Sequence, residues 1–264
     1  MYLFFGAAKL TSKLVIMKNI FLNIFFLSFF ACLISCDYSD GVRGSGNKVD
    51  REEGLSPFSE VEFKGNFEVH LHQADDYKLL IEADDNLMRL IEVDESNGRL
   101  EIETTENIYD ADDIRIDLYF PDIEKINVSG AVDLKNEGTL ILDKLNMDLG
   151  GAGAINLTLE TDETIIDVSG AGGIKLRGFT EFLAVSLSGA GGLDAKNLVA
   201  SNADLEISGV GGAQVCVREV LDAEISGIGG VQYYCKPKEI REDINGLGSI
   251  SEGNNKDNDN DEDY

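Results

Sequence analysis

The chain has 264 residues, 49 of them acidic and 22 basic, for a formal net charge of −27 at pH 7. Such a balance excludes a nucleic-acid binder and contact with an anionic membrane face, because both need clustered Lys and Arg. The length suffices for a real hydrophobic core, and the acidic surface serves solubility.

The first predicted element is an export signal. Lys18 follows the internal Met17, an apolar run extends from Ile20 to Ile34, and Cys36 closes it. That run is shorter than the roughly 20 residues needed to span a bilayer as a helix, and it fits the hydrophobic region of a signal peptide. "LISC", Leu33 to Cys36, resembles a bacterial lipobox, in which the cysteine carries lipid and becomes the mature N-terminus. Residues 1–35 are thus expected as signal peptide, with the true start at Met17 and lipidation at Cys36. The expected partner is a membrane, held through the lipid anchor without being spanned. Residues 36–54 carry "DYSDGVRGSGNKVDREEG" after the cysteine. Gly, Ser and charge there cannot bury apolar surface, so a flexible tether is expected.

Residues 55–126 alternate apolar with polar in "FSEVEFKGNFEVHLHQ", "YKLLIEAD", "GRLEIETT" and "DIRIDLYF", which predicts strands separated by Asp, Asn and Gly turns. Only "DDNLMRLIEVD" suggests a helical turn. His70 and His72 stand two apart on one strand face, a pattern that suits zinc, yet no third ligand follows at a convincing spacing. Two exposed surface histidines and no metal site are the expectation.

From residue 127 the chain repeats itself: "VSGAVDL", "LGGAGAI", "VSGAGGI", "LSGAGGL", "ISGVGGA", "ISGIGGV" and "INGLGSI". The first shared glycines are Gly130, Gly151, Gly170, Gly189, Gly209, Gly227 and Gly246, at intervals of 21, 19, 19, 20, 18 and 19 residues. Two residues before each stands an aliphatic (Val128, Leu149, Val168, Leu187, Ile207, Ile225, Ile244). Four after stands an apolar residue, and five after a polar one (Lys135, Asn156, Lys175, Asp194, Gln214, Gln232, Ser251). In–out alternation on both sides of the glycine predicts strands. A period near 19 leaves no room for a helix, so the strands stack rung on rung as a solenoid over 55–250, with 55–126 as first coils or cap. The glycines mark corners, where they permit a sharp turn and relieve crowding between rungs. A phosphate-binding loop is disfavoured, since that requires a following helix and each glycine segment here leads into a strand.

Three residues before the shared glycine, Asp148, Asp167, Glu206, Glu224 and Asp243 form an outward column with Asn127 and Ser186. A solvated face is expected there, the alternative being a stripe for divalent cations or a basic partner. Cys216 and Cys235 lie one rung apart in an export compartment, which brings them within disulfide range. Simple alternation points them to opposite faces, so free packed thiols are expected unless a bulge near "VQYYCKP" corrects the register. The tail 251–264 is acidic and of low complexity, and is expected to be disordered. Its alternating Asp257, Asp259 and Asp261 lack the glycine and glutamate of an EF-hand.

Taken together, the order of strands from Phe58 to Thr104, "IRIDLYFPDIEKINVSGAVDL", and repeated "SGAGG" corners behind a lipoprotein signal resembles the GIN-domain family. That family is described as a head domain of auto-transporter adhesins, typical of Bacteroidetes cell envelopes. The resemblance covers about residues 50–250 and implies an all-β, right-handed single-stranded β-helix with rungs of about 19 residues. It implies no catalytic residues and no cofactor. The expected function is a non-catalytic envelope lipoprotein, of the outer membrane, that binds a protein or glycan. A structural or stress-related envelope component is the alternative. A polysaccharide-active enzyme is the third: such lyases pair Arg or Lys with carboxylates, and sugar sites favour aromatics, but the chain has no Trp.

Overall fold

The computed structural model describes residues 41–108 and 114–254. Within them the backbone forms an all-β solenoid of about 7 turns, its parallel bridges about 19 residues apart. The predicted lipidation site Cys36, the signal and the aspartates of the tail lie outside the described residues.

The repeat region builds the regular part. Strands β8 (Lys125–Val128), β9 (Ala131–Asn136) and β10 (Leu140–Leu149) lead into four long ones: β11 (Ala152–Val168), β12 (Ala171–Leu187), β13 (Ala190–Ile207) and β14 (Val210–Ile225). β15 (Ile228–Tyr234), β16 (Glu239–Ile244) and β17 (Leu247–Glu252) complete the last coils. Sequence alignment equals spatial register: Asn156 pairs with Lys175, Lys175 with Asp194, Asp194 with Gln214 and Gln214 with Gln232. The aliphatic columns fill the interior, Val168, Leu187, Ile207 and Ile225 each being buried. In the last copy Ile244, which stands opposite Ile225 in the pairing of β16 with β14, is 42% exposed.

Each rung has a second bend that the repeat does not announce. Alternation changes phase there: Thr161 and then Thr164 point inward across Asp162 and Glu163, and Thr180 and then Leu183 do so across Glu181 and Phe182. The buried hydroxyls satisfy one another, with Thr161 Oγ1 at 2.7 Å from that of Thr164 and 2.9 Å from that of Thr180. Buried polar atoms without partners would be costly, so this cluster is what lets threonine line a corner of the core.

The first half joins the same stack out of chain order. β2 (Glu60–Lys64) and β3 (Asn66–Gln73) form a rung turned at Gly65, and it pairs laterally with β8 and β9. The chain then runs outward through β4 (Lys78–Asp84), the short α1 (Asp85–Met88) and β5 (Ile91–Ser96). It returns as β6 (Arg99–Thr104) and β7 (Arg115–Phe120), a further rung on the far side of β2 and β3. β4 and β5 pair antiparallel on β7 and β6 and close that end. Residues 48–54, read from composition as tether, form β1 (Lys48–Gly54), antiparallel to β4. Although polar, this strand satisfies the backbone of an edge, and the Arg51 guanidinium donates to the carbonyls of Met88, the last residue of α1, and of Ile91.

Candidate functional site

Three surface features have enough organisation to serve a function. One is a groove of about 760 Å³ running across six rungs, from Ala154 to Ser249. Its floor is the third residue after each shared glycine: Gly173, Gly192, Gly212 and Gly230, where the lack of side chains leaves a trough. One wall is the polar column Asn156, Lys175, Asp194, Gln214 and Gln232. One carboxylate oxygen of Asp194 is buried without a hydrogen-bond partner. Two strand positions before the floor, the column Ala171, Ala190, Val210, Ile228 and Leu247 lies in continuous register. Its last three members are exposed aliphatics, Leu247 at 73%. Stacked strands repeat every 4.7–4.9 Å, so the five residues of this wall offer an extended ligand an amide or charged group at each rung along about 19 Å.

The predicted carboxylate column is also laid out as one line. Asp148 pairs with Asp167, Ser186 with Glu206, Glu206 with Glu224, and Glu224 with Asp243, all five carboxylates exposed. Glu62, opposite Asn127 and Glu101, extends it towards the closed end. There the charge is compensated: Arg99 pairs with Glu62, and the Lys64 ammonium lies 2.5 Å from Glu101. Among the described residues no Lys or Arg pairs with Asp148, Asp167, Glu206 or Glu224, and all four are exposed.

The third feature lies where β3 is flanked by β7 and β9. His70 is buried at 7% exposure and His72 is half-buried, so the expected pair of exposed histidines is not what forms. Their strand face is covered by neighbours: His70 stands opposite Asp117 on β7 and opposite Lys135 on β9. His72 Nε2 is 2.8 Å from Asp117 Oδ1, and the His72 ring stacks on Tyr119 with centroids 4.4 Å apart. His70 Nε2 is 3.0 Å from Glu68 Oε1, which also accepts from Lys135 Nζ at 2.7 Å. The Lys135 hydrogen bond, with that from His70, pulls the Glu68 carboxyl down to about 2. Burial opposes ionisation of Asp117, but the hydrogen bonds of Arg115 and His72 prevail and hold its carboxyl below the usual range. Asp117 escaped the sequence reading because β7 lies outside the glycine repeat, so no column assigns its register. The signal was "RIDLYF" itself, whose outward position carries an acid between core residues.

Cys216 and Cys235 are joined by a disulfide, with Cα atoms 5.1 Å apart. Strict alternation fails on both sides of this bond. Val215, Cys216 and Val217 are buried in succession, and Cys235 and Lys236 take the left-handed conformation, φ 66° and 49°, which turns the thiol back towards β14. The bond therefore staples the second bend of one rung to the next.

Among the described residues no helix is long and apolar enough to cross a membrane. No curated protein matches the sequence. Solved structures do match the fold. The "putative adhesin" from Bacteroides fragilis is 23% identical with a TM-score of 0.75, the match covering 81% of this chain and 100% of that one. A "putative adhesin" from Parabacteroides distasonis has 19% identity and a TM-score of 0.61, with 81% and 100% covered. A "putative lipid binding protein" of the same species has 20% identity, a TM-score of 0.60 and the same coverage. The family model described as "Putative auto-transporter adhesin, head GIN domain" matches residues 57–237. With most of the solenoid inside that match, the chain belongs to the GIN-domain family.

Proposed function

We propose that the chain is a non-catalytic binding domain of the cell envelope, held to the outer membrane through lipid at Cys36 and capturing an extended glycan or protein segment along its solenoid. The observation that carries this reading is the continuous groove, which repeats one polar contact per rung beside a glycine floor. A repeating site suits a repeating ligand, because successive units meet equivalent groups and weak contacts accumulate. The Asn and Gln side chains offer donors and acceptors together, as hydroxyl and amide groups of a polymer require. Family membership supports an adhesin type of role.

Arrayed glycans and extracellular proteins probed with the full chain test the reading, combined with product analysis of each bound polymer. Retention of one class of extended polymer without turnover is the expected result. Cleavage of a bound polysaccharide would replace the reading with an enzymatic one. Protease shaving of intact cells tests the placement in the envelope.

A further inference from the structure

We propose that His70, His72 and Asp117 form a binding site for one divalent transition-metal ion of the zinc class, at the junction of the solenoid with its closed end.

Topology supplies the three donors. Residues two apart on β3 share one face, and the lateral neighbour of His70 on β7 is Asp117, so an i, i+2 histidine pair gains a carboxylate beside it. All three are sheltered, Asp117 at 6% exposure. One ligand atom from each lies within 4.8 Å of the others. Asp117 Oδ1 is 2.8 Å from His72 Nε2 and 3.8 Å from His70 Nδ1. Tetrahedral zinc with ligands at about 2.0–2.1 Å separates them by about 3.3 Å. These two spacings bracket that value and the three ligand atoms lie within 4.8 Å of one another, so side-chain rotation would close them on one ion.

The groups behind the ligands are those a metal site needs. A ligating imidazole usually donates its other N–H to a carboxylate, which fixes the tautomer and strengthens the donor nitrogen. His70 Nε2 faces Glu68, and Glu68 is fixed by Lys135; with the proton at Nε2, the Nδ1 lone pair is directed towards Asp117 Oδ1. Two acceptors facing each other call for a cation between them. Behind His72, Glu137 Oε2 lies 3.8 Å from Nδ1. Behind Asp117, Arg115 Nε donates to Oδ2 at 2.9 Å and Arg115 Nη2 to Oδ1 at 3.1 Å. Those bonds keep the carboxylate ionised and aimed, although the second one shares the oxygen the metal would take. The proton that His72 shares with Asp117 is the one the metal displaces.

Charge and donor type select the ion. Around the two imidazoles the carboxylates of Glu68, Asp117 and Glu137 outnumber the cations Arg115 and Lys135 that pair with them. Imidazole nitrogen with a single carboxylate suits zinc, cobalt, nickel or copper, whereas calcium requires six to eight oxygens. Bound metal would tie β3 to β7 directly and to β9 through Glu68 and Lys135.

The test titrates Zn²⁺ and Co²⁺ into the full chain stripped of metal, with calorimetry, thermal unfolding and visible absorption. We expect one equivalent of Zn²⁺, a raised Tm, and a tetrahedral Co²⁺ spectrum of nitrogen and oxygen ligands. His72→Gln and Asp117→Asn should each weaken binding by at least about tenfold, and Glu68→Gln, a positioning change, by about tenfold. Ca²⁺, which needs six to eight oxygen ligands, should show no difference between wild type and His72→Gln. Equal Zn²⁺ affinity in wild type and the ligand variants overturns the proposal. So does a wild-type Co²⁺ spectrum that is octahedral or absent, a readout that stands even if a variant fails to fold.

Discussion

Glycine plays two distinct parts within one turn of this chain, and only geometry separates them. A Cβ on Gly189 would run into the carbonyl oxygens of Gly170 and Ser169 on the rung below, whereas one on Gly192 meets only the Gly212 oxygen at 3.6 Å and one on Gly173 meets nothing. The first shared glycine is therefore required by close approach between rungs; it does not take a positive φ. The sequence offered both reasons for that glycine, and the structure selects crowding. Gly189→Ala should cost about 1–3 kcal/mol, as overpacking does, while Gly192→Ala should leave the urea midpoint nearly unchanged. Equal midpoints for the two variants would refute the distinction. The repeat made the column of glycines visible, but not which column leaves open space, because both are Gly in most copies.

At the scale of elements, the aligned copies specify the lateral register, since a one-residue slip would expose every aliphatic. That specification stops at the second bend, where the phase shift falls among varied residues such as Asp162, Glu181 and Ser201. The disulfide was illegible for the same reason: it depends on a left-handed Cys235, which alternation cannot foresee. It closes a sequence separation of 19, for which chain entropy gives about 3 kcal/mol. Cys235→Ser should lower stability by up to that amount and make the last rung the first to yield to protease. Unchanged proteolysis would show that the rung holds without it. At the other end, the segment before β1 is docked through Asp85, whose carboxylate accepts from the Ser45 hydroxyl at 2.6 Å and the Asn47 amide at 3.1 Å. The Ser45 bond, then the Asn47 bond, hold the Asp85 carboxyl below its ordinary value. The unfolded segment thus binds the proton first, so the contribution is full above the ordinary aspartate pKa of about 3.9 and is lost as pH falls through the lower folded value. Protection of the Ser45–Asn47 amides, with exchange taken relative to the intrinsic rate at each pH, should fall with acidification below about pH 4 in wild type, and Asp85→Asn should weaken that dependence. An identical profile in the variant would contradict the assignment.

For the whole molecule, a coil that repeats every 19 residues or so turns each outward position into a line along its length. That is how a chain with few basic and aromatic side chains obtains extended surfaces: an acidic face, an aliphatic column and a polar-walled groove, each read from the aligned copies once their register is known. The histidine cluster belongs to the part without repeats, and so the sequence showed two of its three donors but not the third. The closed end is stabilised by antiparallel strands and a short helix, and the regular coils are left to present the groove.

Filling the groove tests the account most directly. Gly173→Leu combined with Gly192→Leu places side chains into the trough where the backbone leaves room for them. Binding of the full chain to its polymer ligand on the array should be lost in this variant, with the unfolding transition preserved. Undiminished binding by a folded variant would contradict the groove as the functional surface.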